Sequence, residues 1–339
     1  VTVTAGPDTA GPDTAGPDPL GEGLRRVLAQ LGRPAEVTGL HRLSGGASAE
    51  TWAFDTAEGS DPADRTTRPY ILRRQPPAGS DKATVTLEAS VMAAAAAAGV
   101  PVPGVLTASD DVAVLGSPFM IMDRVEGETI PRRILRDDAL APARGRLAGD
   151  CGRILGVLHG VEPTALPGLV ADDPLERYRL ILDQLGAPSP TFEWAFRHLA
   201  ATRPDPSPVG LVHGDFRLGN LMVGPEGVRA VLDWELVHLG DPLEDLGWLC
   251  TKAWRFGSPA PVGGVGSYAD LLAGYAEATG RVVSLDTLRW WETLGSLKWG
   301  IMCLMQASFH LSGARPSVEL AAIGRRVAEN EWDLLELLP

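Results

Sequence analysis

The segment His213-Gly214-Asp215-Phe216-Arg217-Leu218-Gly219-Asn220 fits the frame H-x-D-x-x-x-x-N, and Asp233 follows thirteen positions after Asn220. Phosphoryl transfer needs this set. Its transition state is largely dissociative, so catalysis rests on positioning and charge neutralisation. One carboxylate must orient the acceptor hydroxyl and take its proton, which is the expectation for Asp215. An amide and a second carboxylate must hold a hard cation against phosphate oxygens, which is the expectation for Asn220 and Asp233 with Mg²⁺. The bland alternative is a surface loop in which Asp and Asn serve only as turn formers. Order and spacing favour the chemical reading, as does the hairpin that follows: Leu221 to Val223 and Val228 to Leu232 flank the turn Gly224-Pro225-Glu226-Gly227.

The rest of the chain must supply the elements that position this loop. Three copies of Thr-Ala-Gly-Pro-Asp within residues 4–18 offer no apolar face, so residues 1–19 are expected to be a disordered tail. Helical spacing begins at Leu20 and runs to Leu31, where Gly32 and Pro34 stop it. Strands are expected at Val37–Leu43, Ala49–Phe54, Pro69–Arg74 and Pro118–Asp123, with an Ala-rich helix over Ala83–Ala98. A polar connection at Val125-Glu126-Gly127 closes this part, giving an N-terminal region of 20–123 and a C-terminal region of 124–339. Beyond it the pattern is helical over Ala141–Val161, Leu175–Leu185, Phe192–Ala201, Leu243–Trp254, Tyr268–Thr279, Leu285–Leu311 and Val318–Leu338. At 339 residues the chain is long enough for two lobes around a cleft, with Asp233 at the cleft mouth opposite Asn220.

Taken together, His213–Asn220, Val231-Leu232-Asp233-Trp234-Glu235, Leu239–Leu246, Tyr70–Pro77 and Phe119–Gly127 resemble the aminoglycoside phosphotransferase-like superfamily. The branch they resemble most is the kinase-like domain fused to some acyl-CoA dehydrogenases. The resemblance implies an α+β, protein-kinase-like, two-lobed fold: a small antiparallel-sheet N-lobe that binds ATP and a mainly helical C-lobe. It also implies Asp215 as base and Arg217 as a contact to the transferred phosphoryl group, the alternative for Arg217 being a salt bridge that braces the loop. Asn220 and Asp233 are implied metal ligands. Ser44, Gly45, Gly46, Ala47 and Ser48 fall where the family has its phosphate loop, although alone they would read as a hairpin turn. Met122, Asp123 and Val125 fall at the hinge. The third-strand Lys of kinase-like enzymes is replaced by Arg73, with Glu88 as its candidate helix partner; Arg74 should face the other way by strand alternation. By the same resemblance Asp245 braces the catalytic loop.

Composition narrows the function classes. A net charge of −13 disfavours nucleic-acid and anionic-membrane partners, which need clustered positive charge. Only Lys82, Lys252 and Lys298 are lysines, which reads as coding bias without functional weight. Cys151, Cys250 and Cys303 lack disulfide or zinc spacing, and a reducing cytoplasm is expected. The first residues show no secretory signal pattern, and Gly99, Pro101, Pro103 and Gly104 interrupt the most apolar stretch, Ala89–Leu106, so no membrane span is expected. Glu235 and Asp241 read as solvated carboxylates, His159 as a satisfied structural histidine, and Trp290, Trp291 and Trp299 as core or pocket wall.

Two functional readings follow. One is an ATP-dependent kinase acting on a hydroxyl of a small molecule, a hydroxyacyl-CoA-type metabolite before an aminoglycoside. The alternative is a nucleotide-binding regulatory module with weak turnover, motivated by Arg73 and the degenerate glycine loop. A protein kinase is disfavoured, because no Ala-Pro-Glu segment follows Asp233.

Overall fold

A computed structural model describes residues 18–43, 49–58, 66–75, 84–166 and 168–339. The repeats up to residue 17 and the phosphate-loop candidates Ser44, Gly45, Gly46, Ala47 and Ser48 lie outside the described residues. The chain divides into two compact units, Val1–Ala97 with Val102–Gly127, and Ala98–Pro101 with Glu128–Pro339.

The first unit opens with helix α1 (Pro19–Gln30). Asp18 caps it by accepting the Leu20 amide, and Pro19 occupies the first turn, where a missing N–H costs nothing. Strands β1 (Glu36–Arg42), β2 (Glu50–Glu58) and β3 (Thr66–Arg74) precede helix α2 (Val85–Ala98), which is followed by β4 (Val105–Ser109), α3 (Val112–Leu115) and β5 (Phe119–Asp123). The five strands form one antiparallel sheet in the order β1-β2-β3-β5-β4. Leu24, Val27, Phe54, Tyr70, Leu72, Leu115, Phe119 and Ile121 build its core. Strand β4 has no counterpart in the sequence reading: five half-buried residues at a sheet edge carry too little alternation to register.

The second unit is mainly helical. Its helices are α4 (Pro131–Ile134), α5 (Ala141–Arg144), α6 (Leu147–Leu158), α7 (Pro174–Leu185), α8 (Pro190–Ala201), α9 (Leu243–Cys250), α10 (Tyr268–Thr279), α11 (Leu285–Leu311), α12 (Val318–Gly324) and α13 (Val327–Leu337). Two two-stranded ladders lie between α8 and α9: β6 (Gly210–Val212) pairs with β9 (His238–Gly240), and β7 (Leu221–Gly224) with β8 (Gly227–Val231). Three of the helices expected as continuous are interrupted. The first breaks at Gly145–Arg146 and the last at Arg325–Arg326, while α9 ends at Cys250 and resumes as a 3₁₀ turn over Lys252–Arg255.

Glycines set how closely these helices approach. A side chain at Gly152 of α6 would strike the Leu271 carbonyl oxygen and lie 2.8 Å from the Tyr275 amide nitrogen, both in α10. Between α9 and α11, a side chain at Gly247 would strike the Trp291 backbone. Helix α11 is buried along most of its first half, and Trp299 and Cys303 join Trp248 and Trp254 in one apolar cluster.

Candidate active site

Strand β6 delivers the chain into His213 and Gly214. Gly214 has φ +82°, and a side chain there would lie 2.5 Å from the Leu236 carbonyl oxygen, so the turn admits glycine alone. Asp245 of α9 holds this turn from below. Its Oδ2 accepts the His213 amide at 2.8 Å and its Oδ1 accepts the Gly214 amide at 2.9 Å. Burial pushes the Asp245 carboxyl up, but hydrogen bonding and charge from His159, with the His213 amide, outweigh it and hold the group below its ordinary value. His159 Nε2 lies 3.2 Å from Asp245 Oδ2, and its Nδ1 lies 3.1 Å from the Tyr275 hydroxyl.

His213 is fully buried, and that burial lowers its pKa. Its Nδ1 accepts the Asp215 amide at 3.2 Å, which leaves Nε2, 3.1 Å from the Leu232 carbonyl oxygen, as the donor. The bonds therefore specify the neutral Nε2-protonated tautomer. One imidazole thus ties the start of the loop to the segment that carries Asp233.

Three side chains converge on the Asp215 carboxylate. Trp248 Nε1 donates to Oδ1 at 2.8 Å, and Asn220 Nδ2 donates to Oδ2 at 2.7 Å and to the Asp215 carbonyl at 2.9 Å. Arg217 Nε bridges both oxygens at 3.0 and 3.2 Å. The guanidinium is stacked 4.8 Å from the centre of the Trp254 ring, so Arg217 adopts the bracing geometry while its terminal nitrogens still carry four N–H donors. Trp248 and Trp254 were not read as site residues from sequence. The signal for Trp248 was its place three residues after Asp245, on the same face of α9.

Asn220 ends a 3₁₀ turn over Leu218–Asn220, and its carbonyl accepts the Leu232 amide at 2.8 Å. Asp233 stands two residues past β8 with φ +66°, one of two non-glycine residues in the left-handed region among those described. The strand expected to run to Leu232 thus stops at Val231, and the Asp233 carboxylate is presented from a strained turn. With Asn220 Nδ2 spent on Asp215, Oδ1 is the atom of this amide that could meet a cation. An amide oxygen and one carboxylate form a hard donor set that suits Mg²⁺ with water and phosphate as its other ligands. Among the described residues no three His, Cys, Asp or Glu side chains form a metal-holding group of their own.

In the first unit, Arg73 Nη1 lies 3.2 Å from Glu88 Oε2, and Gln75 Nε2 donates to Glu88 Oε1 at 2.9 Å. Glu88 is fully buried and falls on the same stripe of α2 as Val85, Val91, Met92 and Ala95. Arg74 faces the opposite side, toward Glu50 Oε2 at 3.2 Å and the Leu115 carbonyl at 2.8 Å. Met122 is buried in β5 opposite Ile71, Asp123 is exposed, and Val125 is half-buried. In the second unit Asp241, expected as a solvated carboxylate, accepts the Leu243 and Ser207 amides just ahead of α9. Trp290 donates to the Leu199 carbonyl.

A five-stranded antiparallel sheet followed by a mainly helical part, with an Asp and Asn on one hydrogen-bonded loop, defines a kinase-like phosphotransferase. The family model described as "Phosphotransferase enzyme family" matches residues 39–291, well over half the chain, and the chain belongs to that family. Among curated proteins it is 29% identical over 262 residues to mouse (Mus musculus) acyl-CoA dehydrogenase family member 10, covering 72% of this chain and 23% of that protein. The chain spans well under two thirds of the curated relatives it matches, 38% in the case of acyl-CoA dehydrogenase family member 11 from Gallus gallus. Among solved structures it superposes on one from Ralstonia eutropha assigned to the aminoglycoside phosphotransferases, with TM-score 0.70 and 24% identity over 94% of this chain and 97% of that one. It also superposes on a thermostable mutant of aminoglycoside phosphotransferase APH(4)-Ia in complex with AMP-PNP and hygromycin B, with TM-score 0.60 and 15% identity over 93% and 97%. At those identities the structural likeness speaks for the fold alone.

Proposed function

We propose that the chain transfers the γ-phosphoryl group of ATP to a hydroxyl of a small molecule, with a hydroxyacyl-CoA-type metabolite as the acceptor class ahead of an aminoglycoside. The observation that carries this reading is the Asp215 carboxylate, fixed by Trp248, Asn220 and Arg217 at 2.7–3.2 Å while its side chain stays 14% exposed. Such a group can accept one more hydrogen bond, from an acceptor hydroxyl, in a fixed direction. The hydroxyl oxygen bonds to the γ-phosphorus, the bond from that phosphorus to the β–γ bridging oxygen breaks to release ADP, and the hydroxyl proton passes to Asp215. Arg217 directs its terminal N–H groups at phosphoryl oxygens. Asn220 Oδ1 and Asp233 would hold Mg²⁺, which when bound supplies charge neutralisation to the phosphates. Arg73, braced by Glu88, would take the phosphate-binding role usual for a Lys. AMP-PNP in a solved relative supports an adenine nucleotide, and the acyl-CoA dehydrogenase names of the curated relatives support the acceptor class.

The proposed setting is a reducing cytoplasm, where Cys151, Cys250 and Cys303 persist as buried thiols; burial pushes Cys151 and Cys303 up to about 12. The test of function is Mg·ATP consumption across hydroxyacyl-CoAs, aminoglycosides and amino alcohols. Asp215→Asn should lower turnover by about 10³-fold or more while nucleotide affinity changes less than about twofold. The regulatory-module reading, favoured by Arg73 in place of Lys, predicts nucleotide binding without turnover in the unaltered protein and no functional change in the variant.

A further inference from the structure

Lys298 lies in the middle of α11, only 2% exposed, between Leu297 and Trp299. Its ammonium group donates to the Gly214 carbonyl at 2.9 Å and to Glu244 Oε1 at 3.0 Å, and lies 4.2 Å from the centre of the Trp248 ring. Glu244 Oε2 is in turn 3.3 Å from His238 Nε2. Burial disfavours the charged ammonium, but the Glu244 carboxylate outweighs this and holds the Lys298 pKa above its ordinary value.

A buried ion pair is a poor source of stability, since apolar groups of equal shape serve about as well. This one touches the Gly214 carbonyl of the loop and the Trp248 ring of α9, each one step from Asp215. The Gly214 carbonyl belongs to the peptide group whose nitrogen is that of Asp215, so fixing it fixes the backbone that carries the carboxylate. The Trp248 indole donates to Asp215 Oδ1. A cation on the indole face draws electron density from the ring and strengthens the N–H as a donor. We propose that Lys298 is a positioning residue for Asp215, acting on its backbone through the Gly214 carbonyl and on its carboxylate through the Trp248 indole. The proposal deepens the phosphotransfer reading and rests on it for its kinetic consequence, while its geometric content can be tested separately.

The decisive variant is the double substitution Lys298→Met with Glu244→Gln, which removes both charges at nearly constant volume. Its melting temperature should stay within a few degrees of the parent, as expected for a buried pair replaced as a unit. In ¹⁵N-labelled protein the Trp248 indole signal, assigned by its loss in Trp248→Phe, should move upfield toward its position in Asp215→Asn. With whichever acceptor supports turnover, kcat should fall about 10- to 100-fold and the KM for ATP should change less than twofold. Trp248→Phe keeps the ring over the cation but removes the N–H, and it should show the same split between kcat and KM if the double variant does not fold. An unmoved indole signal in the folded double variant, or an unchanged kcat in Trp248→Phe, would reduce Lys298 to a core ion pair. If the unaltered protein turns over no acceptor, the phosphotransfer reading fails by itself, and the indole signal still decides whether Lys298 positions Asp215.

Discussion

Glu88 is a carboxylate on an otherwise apolar stripe of an Ala-rich helix, fully buried and paired with Arg73. Removing one member of such a pair leaves the other charged in low dielectric. Arg73→Met, which leaves the fully buried Glu88 carboxylate, should therefore destabilise the fold by about 3 kcal/mol, and Glu88→Gln by less, because the charge it leaves, on Arg73, keeps 16% of its side chain exposed. Denaturant unfolding of both variants measures the difference, and equal midpoints would contradict it. At this scale the loop His213–Asn220 was legible because its spacing is local, and so was the opposed orientation of Arg73 and Arg74. The indole that anchors Asp215 and the lysine beneath it were not. Trp248 and Lys298 reach the loop from positions 33 and 84 residues away, at separations where side-chain periodicity says nothing about contact. The low lysine count, read from sequence as coding bias, concealed the one placed in the core.

Helices α6 and α10 meet through glycine, and this inverts the usual arithmetic of Gly→Ala in a helix. In an isolated helix the substitution gains about 1 kcal/mol. At Gly152 the added methyl would meet backbone atoms of α10, which cannot rotate away, and overpacking costs about 1–3 kcal/mol or more. Gly152→Ala should lower the melting temperature by several degrees, whereas an increase would mean that the helices can separate freely. Two long elements were legible end to end: α10 and α11 begin and end where the 3.6-residue period does, each opened by a serine cap at Ser267 and Ser284. The three-residue strands β6 and β9 were not legible, being shorter than any period, although they hold the loop's entry. Nor was the break after α12. Gly324 ends that helix where a side chain would lie 2.6 Å from Ala307 of α11, a close approach that one chain segment cannot reveal.

For the molecule as a whole, the buried acids beneath the loop contribute to the acid limb of its stability. Glu244, held low by Lys298 and His238 against its desolvation, and Asp245, held low by His159, both have folded pKa values below their ordinary 4.5 and 3.8. A depressed carboxyl contributes stability that is present above its unfolded pKa and lost as pH falls through the folded one. Unfolding midpoints should drop steeply below about pH 4.5, and Glu244→Gln should make that limb shallower; an identical limb would assign it to other groups. The division of the chain also has a bearing on descent. Ala98–Pro101 groups with the second unit although the residues on both sides group with the first, and the Pro101 carbonyl accepts the Val231 amide in β8 at 2.8 Å. The polypeptide therefore passes from one unit to the other three times. Neither half can be cut out at a single point and traded as a cassette, because a gene fragment beginning at residue 128 would lack the Pro101 carbonyl that accepts the Val231 amide of β8.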